Sequence, residues 1–131
     1  MSRTDLISDA LTIIRNAYQV RKEESMIPYS KMLVGILDIL KREGFIENFK
    51  VMEMGNTKSI KVYLKYDRKK KAISNIKKIS KPGRRIYVSK DEIPEVLSGY
   101  GIAVMSTSHG IITNKEAKKI GVGGEVICYV W

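Results

Sequence analysis

The chain is short of the residues that build metal and redox chemistry. It has one cysteine, Cys128, and one histidine, His109, in 131 residues. A single cysteine excludes an internal disulfide. One Cys with one His cannot supply the four ligands of an ordinary structural zinc site. A lone thiol fits a reducing, cytosolic setting. Long hydrophobic runs are also missing, since no segment reaches the about 20 apolar residues that a spanning helix needs. At the N-terminus Asp5 and Asp9 interrupt any signal-peptide pattern and no small-residue cleavage site follows. Acidic residues are scarce. There are 14 Asp+Glu against 24 Lys+Arg, a net charge of +10.

That charge is unevenly placed. Residues 1–66 carry 11 basic and 8 acidic residues, a net of +3, and residues 67–131 carry 13 and 6, a net of +7. From Arg68 to Lys90 there are ten basic residues and no acid. Such a block attracts polyanions over a Debye length and speeds their capture. Nucleic acid is the expected partner. A membrane surface fits less well, because the cations interleave with strand-like apolar residues rather than lining an amphipathic helix. The plain alternative is a charged face that keeps the chain soluble.

The chain reads as α+β. Leu6, Ile7, Ala10, Leu11, Ile14, Ala17 and Tyr18 recur at three- and four-residue spacing and predict a helix over 5–20, with Thr4 as N-cap. Pro28 makes 26–29 extended. Ser30 reads as the N-cap of a second helix, 31–43, ended by Gly44. The unpaired N–H groups at that helix start would suit a phosphate beside Ser30 and Lys31, with simple capping as the alternative. A strand over 45–54, with Phe45, Phe49 and Val51 on one face, turns at 55–57 into an alternating strand over 59–66. A first domain, 1–67, and a second, 68–131, are expected to pack together.

In the second half, 72–80 is ambiguous. Ile73, Ile76 and Ile79 sit at helical spacing, but β-branched content favours a strand. Pro82-Gly83 fits a type II turn and suggests a hairpin with a strand over 84–89. A short helix is expected over 91–98 with Pro94 in its first turn. Thr113-Asn114-Lys115-Glu116 has capping-box spacing for a helix that stops at Gly121. Gly123-Gly124-Glu125 introduces a last strand, 126–131.

The stretch from Ile102 to Thr113 stands out. An apolar run climbs to Ser106-Thr107-Ser108, turns at His109-Gly110 and re-enters an apolar run. Three short hydroxyls donate and accept hydrogen bonds and let a ligand approach the backbone. This is a recognition loop or a hairpin with a polar turn. Glu125 is the sole acid after Glu116; its carboxylate would accept from base amino groups or hold the Gly-rich loop. Tyr63, Tyr66, Tyr87 and Tyr100 offer rings that could stack on unpaired bases. Ser108 beside His109 invites a nucleophile–base pair, but adjacent strand residues face opposite ways and nothing nearby orients the imidazole. Gly121-x-Gly123-Gly124 precedes a strand and is not a phosphate fingerprint. Nothing calls for a metal, a cofactor or a small-molecule substrate.

Taken in order, these motifs resemble the family of bacterial small-subunit ribosomal proteins numbered eight. The resemblance is carried by Ile14-Arg15-Asn16, Pro28-x-Ser30-Lys31, Arg42-Glu43-Gly44-Phe45-Ile46, Leu64-Lys65-Tyr66 and Ile79-Ser80-Lys81-Pro82-Gly83-x-Arg85-x-Tyr87. It continues through Gly101-Ile102-Ala103, Ser106-Thr107-Ser108-x-Gly110 and Gly123-Gly124-Glu125-x-Ile127-x-Tyr129-Val130. It implies two tightly packed α+β domains, α-β-α-β-β and then mostly β. It implies a non-enzymatic protein that binds the central domain of 16S ribosomal RNA directly and helps assemble the platform of the 30S subunit in the cytoplasm. RNA contacts would fall on Thr4, Ser30, Lys31, Arg85, Tyr87, Ser106, Thr107, Ser108, Gly110, Gly123, Gly124 and Glu125. Neighbouring small-subunit proteins five and twelve are implied partners, as is the messenger RNA of its own operon in some members. The rival readings are a sequence-indifferent basic nucleic-acid-binding module and a small hydrolase built on Ser108 and His109.

Overall fold

The computed structural model describes residues 3–67 and 70–131, with the backbone alone at 3–5, 67, 70 and 71. The expected basic turn at 68–71 therefore lies partly outside the described residues. The chain divides into two compact units, Leu6–Ser74 and Asn75–Trp131, and the segment up to Asp5 groups with the second.

The first unit is built from α1 (Arg3–Gln19), β1 (Glu24–Pro28), α2 (Lys31–Arg42), β2 (Ile46–Met54) and β3 (Thr57–Leu64), followed by a small ladder of β4 (Tyr66–Asp67) and β5 (Lys70–Lys71). Helix α1 is described from Arg3, so the backbone of Thr4 lies in its first turn, and the expected cap by the Thr4 side chain lies outside the described residues. The α1 stripe is buried as its spacing predicts, through Ile7, Ala10, Leu11, Ile14, Ala17 and Tyr18. Helix α2 buries Leu33, Ile36, Leu37, Ile39 and Leu40. Each such side chain contributes about 1.5–3 kcal/mol when fully withdrawn from water.

Both ends of α2 are closed locally. The Ser30 hydroxyl accepts from the Leu33 N–H at 3.0 Å. At the other end Gly44 takes φ 79°, its N–H donates to the Lys41 carbonyl, and the Phe45 N–H donates to the Leu40 carbonyl at 2.8 Å. These two bonds form a Schellman closure, which needs a left-handed residue and so favours glycine.

The sheet order is β1-β3-β2, all antiparallel. Met54 pairs with Thr57 across a two-residue turn, so Thr57 belongs to the strand. A register shift between Ile46 and Asn48 changes which residue of β2 reaches the core. A bulge inserts one residue and flips the faces beyond it. Ile46, not Phe45, is buried opposite Leu64, and Val51 remains exposed although it pairs with buried Ile60.

The second unit is a five-stranded sheet of β6 (Ile76–Lys78), β7 (Tyr87–Val88), β8 (Ile102–Thr107), β9 (Gly110–Thr113) and β10 (Gly124–Val130), with α3 (Asn114–Ile120). Strand β10 is central. On one edge it pairs with β8, which pairs with β9. On the other edge it pairs with β6 at Cys128–Val130 and with β7 at Gly124–Glu125. The core holds Ile93, Val96, Ala103, Met105, Ile112, Ala117 and Val126. Thr113 caps α3, accepting from the Glu116 N–H at 3.1 Å, and Gly121 closes it at φ 86°.

Three expectations fail here. The strands around Pro82-Gly83 do not form a hairpin with each other. Both lie along β10, and the pairing between them shrinks to a single bridge, Lys81 with Arg84. The turn is not type II, because Gly83 does not enter the positive-φ region. No α-helix forms over 91–98. A single 3-10 turn, Leu97–Gly99, remains, with Leu97 and Ser98 at φ 47° and 52°. There one backbone carbonyl is committed to a distant partner and another to a local turn. The Asn114 amide donates to the Pro94 carbonyl at 2.8 Å, and the Gly101 N–H donates to the Val96 carbonyl at 3.0 Å.

Candidate nucleic-acid interface

Glu125 sits in β10 directly between Tyr87 of β7 and Ser106 of β8. Residues directly opposite in antiparallel strands project from the same face. Tyr87, Glu125 and Ser106 therefore form one row across three strands. The Arg85 guanidinium joins them, donating to a Glu125 carboxylate oxygen at 3.4 Å. The Glu125 side chain is 14% exposed and that of Arg85 43%. Such a partly solvated pair holds Arg85 in place and contributes little stability. Tyr87 is 68% exposed, so its ring is open to a planar partner.

Lys78 extends the same face, since it pairs with Cys128 and the β10 bulge brings Cys128 and Glu125 onto one side. Burial lowers the pKa of Lys78, the Glu125 carboxylate opposes that shift, and Arg85 adds to it. Its ammonium donates to the Ser80 carbonyl. Burial raises the Cys128 thiol to about 12, which keeps it neutral and unreactive.

The glycines before Glu125 are required by close approach. A Cβ on Gly124 would strike the Ser106 carbonyl and come to 2.9 Å from the Thr107 methyl. A Cβ on Gly123 would strike the Val88 carbonyl and come to 2.9 Å from Ser89. These two positions let three strands converge where Glu125 emerges.

The Ser-Thr-Ser stretch divides by role. Ser106 joins the row. Thr107 pairs with Gly110, and its hydroxyl accepts from the His109 N–H and donates to the Gly110 carbonyl, both at 3.0 Å. Thr107 thus braces the turn. The turn residues are Ser108-His109, one earlier than the sequence suggests, and Gly110 follows at φ 96°. Ser108 and His109 are exposed, and among the described residues no hydrogen bond joins them. The geometry gives no support to a nucleophile–base pair.

Ser30 and Lys31 lie in the other unit, at the start of α2, where Ser30 is engaged in capping and Lys31 is exposed. The side chain of Thr4 lies outside the described residues. Tyr66 is bound to its own unit, donating to the Lys22 carbonyl at 2.6 Å and meeting Tyr18 edge-on. Tyr63 carries Lys61 over its ring. Tyr100 is exposed and stands apart from the row.

Sequence reasoning passed over Ser80. It is fully buried, its hydroxyl donates to the Val126 carbonyl at 2.7 Å, and it accepts from the Ile86 N–H at 3.0 Å. It ties off the loop that carries Lys81, Arg84 and Arg85. The signal was a serine entering a Pro-Gly turn, which is too common to single out.

Among the described residues no group of three or more His, Cys, Asp or Glu is placed to hold a metal, and no helix is long and apolar enough to cross a membrane. Residues 5–131 match the family described as Ribosomal protein S8. The chain is 53% identical to the small ribosomal subunit protein uS8 of Halothermothrix orenii, over the whole of both chains. It is 59% identical to that of Kosmotoga olearia over 98% of each, and 52% identical to that of Streptococcus equi subsp. zooepidemicus over the whole of both. The chain belongs to the ribosomal protein S8 family, whose members are structural, non-enzymatic components of the small ribosomal subunit.

Proposed function

We propose that this chain binds directly to the central domain of 16S ribosomal RNA and acts early in assembly of the subunit platform. The observation that supports this most is the row of Tyr87, Glu125 and Ser106, set in a basic half and held by Arg85. A carboxylate repels phosphate, so its use in such a surface is to accept hydrogen bonds from base amino or imino groups. The surrounding lysines and arginines neutralise backbone phosphates and supply salt-sensitive affinity. A regular A-form helix hides base edges in its deep groove, so the target is an irregular helix with opened bases. Tyr87 would stack on one of them. Ser108 and the backbone at Gly110, Gly123 and Gly124 border this row, Ser30 and Lys31 add contacts from the first unit, and Thr4 adds one near the N-terminus.

The test is binding to a central-domain fragment of 16S ribosomal RNA beside a scrambled control, across a salt series. Tight binding to the true fragment alone, persisting at physiological salt, is expected. Equal, salt-sensitive binding to both would leave only a basic polyanion binder.

A further inference from the structure

We propose that Lys81 and Arg84 form a clamp for a single RNA backbone phosphate, beside the row that reads bases. This rests on the RNA-binding reading above. The Lys81 N–H donates to the Arg84 carbonyl at 2.9 Å, and the Arg84 N–H donates to the Lys81 carbonyl at 3.0 Å. A pair that exchanges both bonds projects its two side chains from one face, with Cβ atoms about 5 Å apart. Both are cationic and exposed, and like charges directly opposite are destabilising. Among the described residues neither meets a carboxylate, and the nearby Glu125 is engaged by Arg85. An anion between the two cations removes the repulsion.

The turn is also stiff. Pro82 fixes one φ, and the chain enters and leaves through the buried Ser80 hydroxyl, which holds Val126 on one side and Ile86 on the other. The Lys78 ammonium on the Ser80 carbonyl adds a further tie. Cations held ready in this way lose less freedom on binding. One residue on comes Arg85, and three on Tyr87, so the clamp and the base-reading row are carried by one short segment of chain. This continuity favours a phosphodiester over an acidic protein segment.

The test uses the full chain and the same two RNAs across a potassium chloride series. The variants are Lys81→Gln, Arg84→Gln and the double. A shared phosphate has a distinctive signature. Either cation alone still neutralises it, so each single variant keeps most of the slope of log affinity against log salt. The double variant loses one phosphate's worth, about 0.7–0.9 in slope. The exchanged pair, Lys81→Arg with Arg84→Lys, keeps the slope. An unchanged slope in the double variant overturns the clamp. A loss of about twice that, shared equally between the singles, means two separate phosphates and overturns it too. Failure of the wild type to prefer the true fragment would sink the specific-recognition reading instead, and the slopes on either RNA would still decide the clamp.

Discussion

The Ser80 hydroxyl donates to the Val126 carbonyl at 2.7 Å from a fully buried position, across 46 residues of sequence. At that point the chain leaves the edge of β10 and later rejoins it at Ile86. The hydroxyl bridges the Ile86 N–H and the Val126 carbonyl, standing in for the one direct ladder bond between them. Ser80→Ala leaves the Ile86 N–H and Val126 carbonyl without this partner, and is expected to cost about 1–3 kcal/mol of stability. Urea unfolding measures the cost. The variant should bind RNA more weakly with an unchanged salt slope, because it removes order and no charge. A neutral Ser80→Ala would show that the loop stands without its anchor.

Tyr18 makes stability fall at high pH. Its ring is 1% exposed, its hydroxyl donates to the Phe45 carbonyl at 2.6 Å, and it accepts from the Lys65 N–H at 3.0 Å. Burial raises its pKa from 10.0 to about 12. A raised folded-state pKa means stability is whole below 10.0 and is lost as pH climbs towards 12. The slope is about 1.4 kcal/mol per pH unit. Cys128, raised from 9.0 to about 12, acts with the same sign. Urea midpoints over this range should decline in the wild type and decline less steeply in Tyr18→Phe, which starts less stable. Parallel curves would refute the assignment.

Gly124→Ala forces a Cβ into the Ser106 carbonyl, and backbone cannot yield as a flexible side chain can. The expected cost is about 1–3 kcal/mol of stability, from overpacking. RNA binding should fall further than stability alone explains, because Glu125 and Ser106 shift apart. Thermal unfolding and RNA titration of the same variant check both. A stable variant with wild-type binding would mean that β8 and β10 are free to separate at this point.

Glu125→Ala and Ser108→Ala are each expected to cost about 1–3 kcal/mol on the cognate RNA fragment. Scrambled RNA should distinguish them from charge effects. Glu125→Ala frees Arg85 and removes a negative charge, so non-specific affinity should hold or rise. Equal losses on both RNAs would refute base recognition at Glu125.

Ser30 has a structural duty that sets a floor on any functional reading of it. Its hydroxyl caps α2 at the Leu33 N–H, and Ser30→Ala should cost about 0.5–2 kcal/mol in urea unfolding. Ser30→Asp should preserve the cap while placing a negative charge at the helix start. If Ser30 also touches phosphate, the aspartate variant folds normally and binds RNA more weakly. Normal binding by that variant would confine Ser30 to capping.

Much of this was readable because it is local. The stripes of α1 and α2, the Ser30 and Thr113 caps, and the Gly44 and Gly121 closures all depend on residues within one or two turns. The elements that misled are those whose partners are distant. Residues 91–98 have a helical look, but Asn114, 20 residues further on, claims the Pro94 carbonyl. Residues 76–78 and 87–88 look like two arms of a hairpin, but β10 offers both of them a longer edge. Phe45 looked core-facing because a bulge cannot be seen in an alternating pattern.

The sequence by itself determined the α+β class, the helices α1, α2 and α3, the exclusion of an internal disulfide, and a strongly basic second half. Composition and short-range spacing are enough for those, because helical periodicity and net charge need no knowledge of what the chain folds against. Only the tertiary structure decided that Tyr87, Glu125 and Ser106 share one row, that Thr107 braces a turn, and that Ser80 holds a loop of cations in place. Those outcomes depend on strand register and bulges, where a shift of one residue sends every side chain to the opposite face.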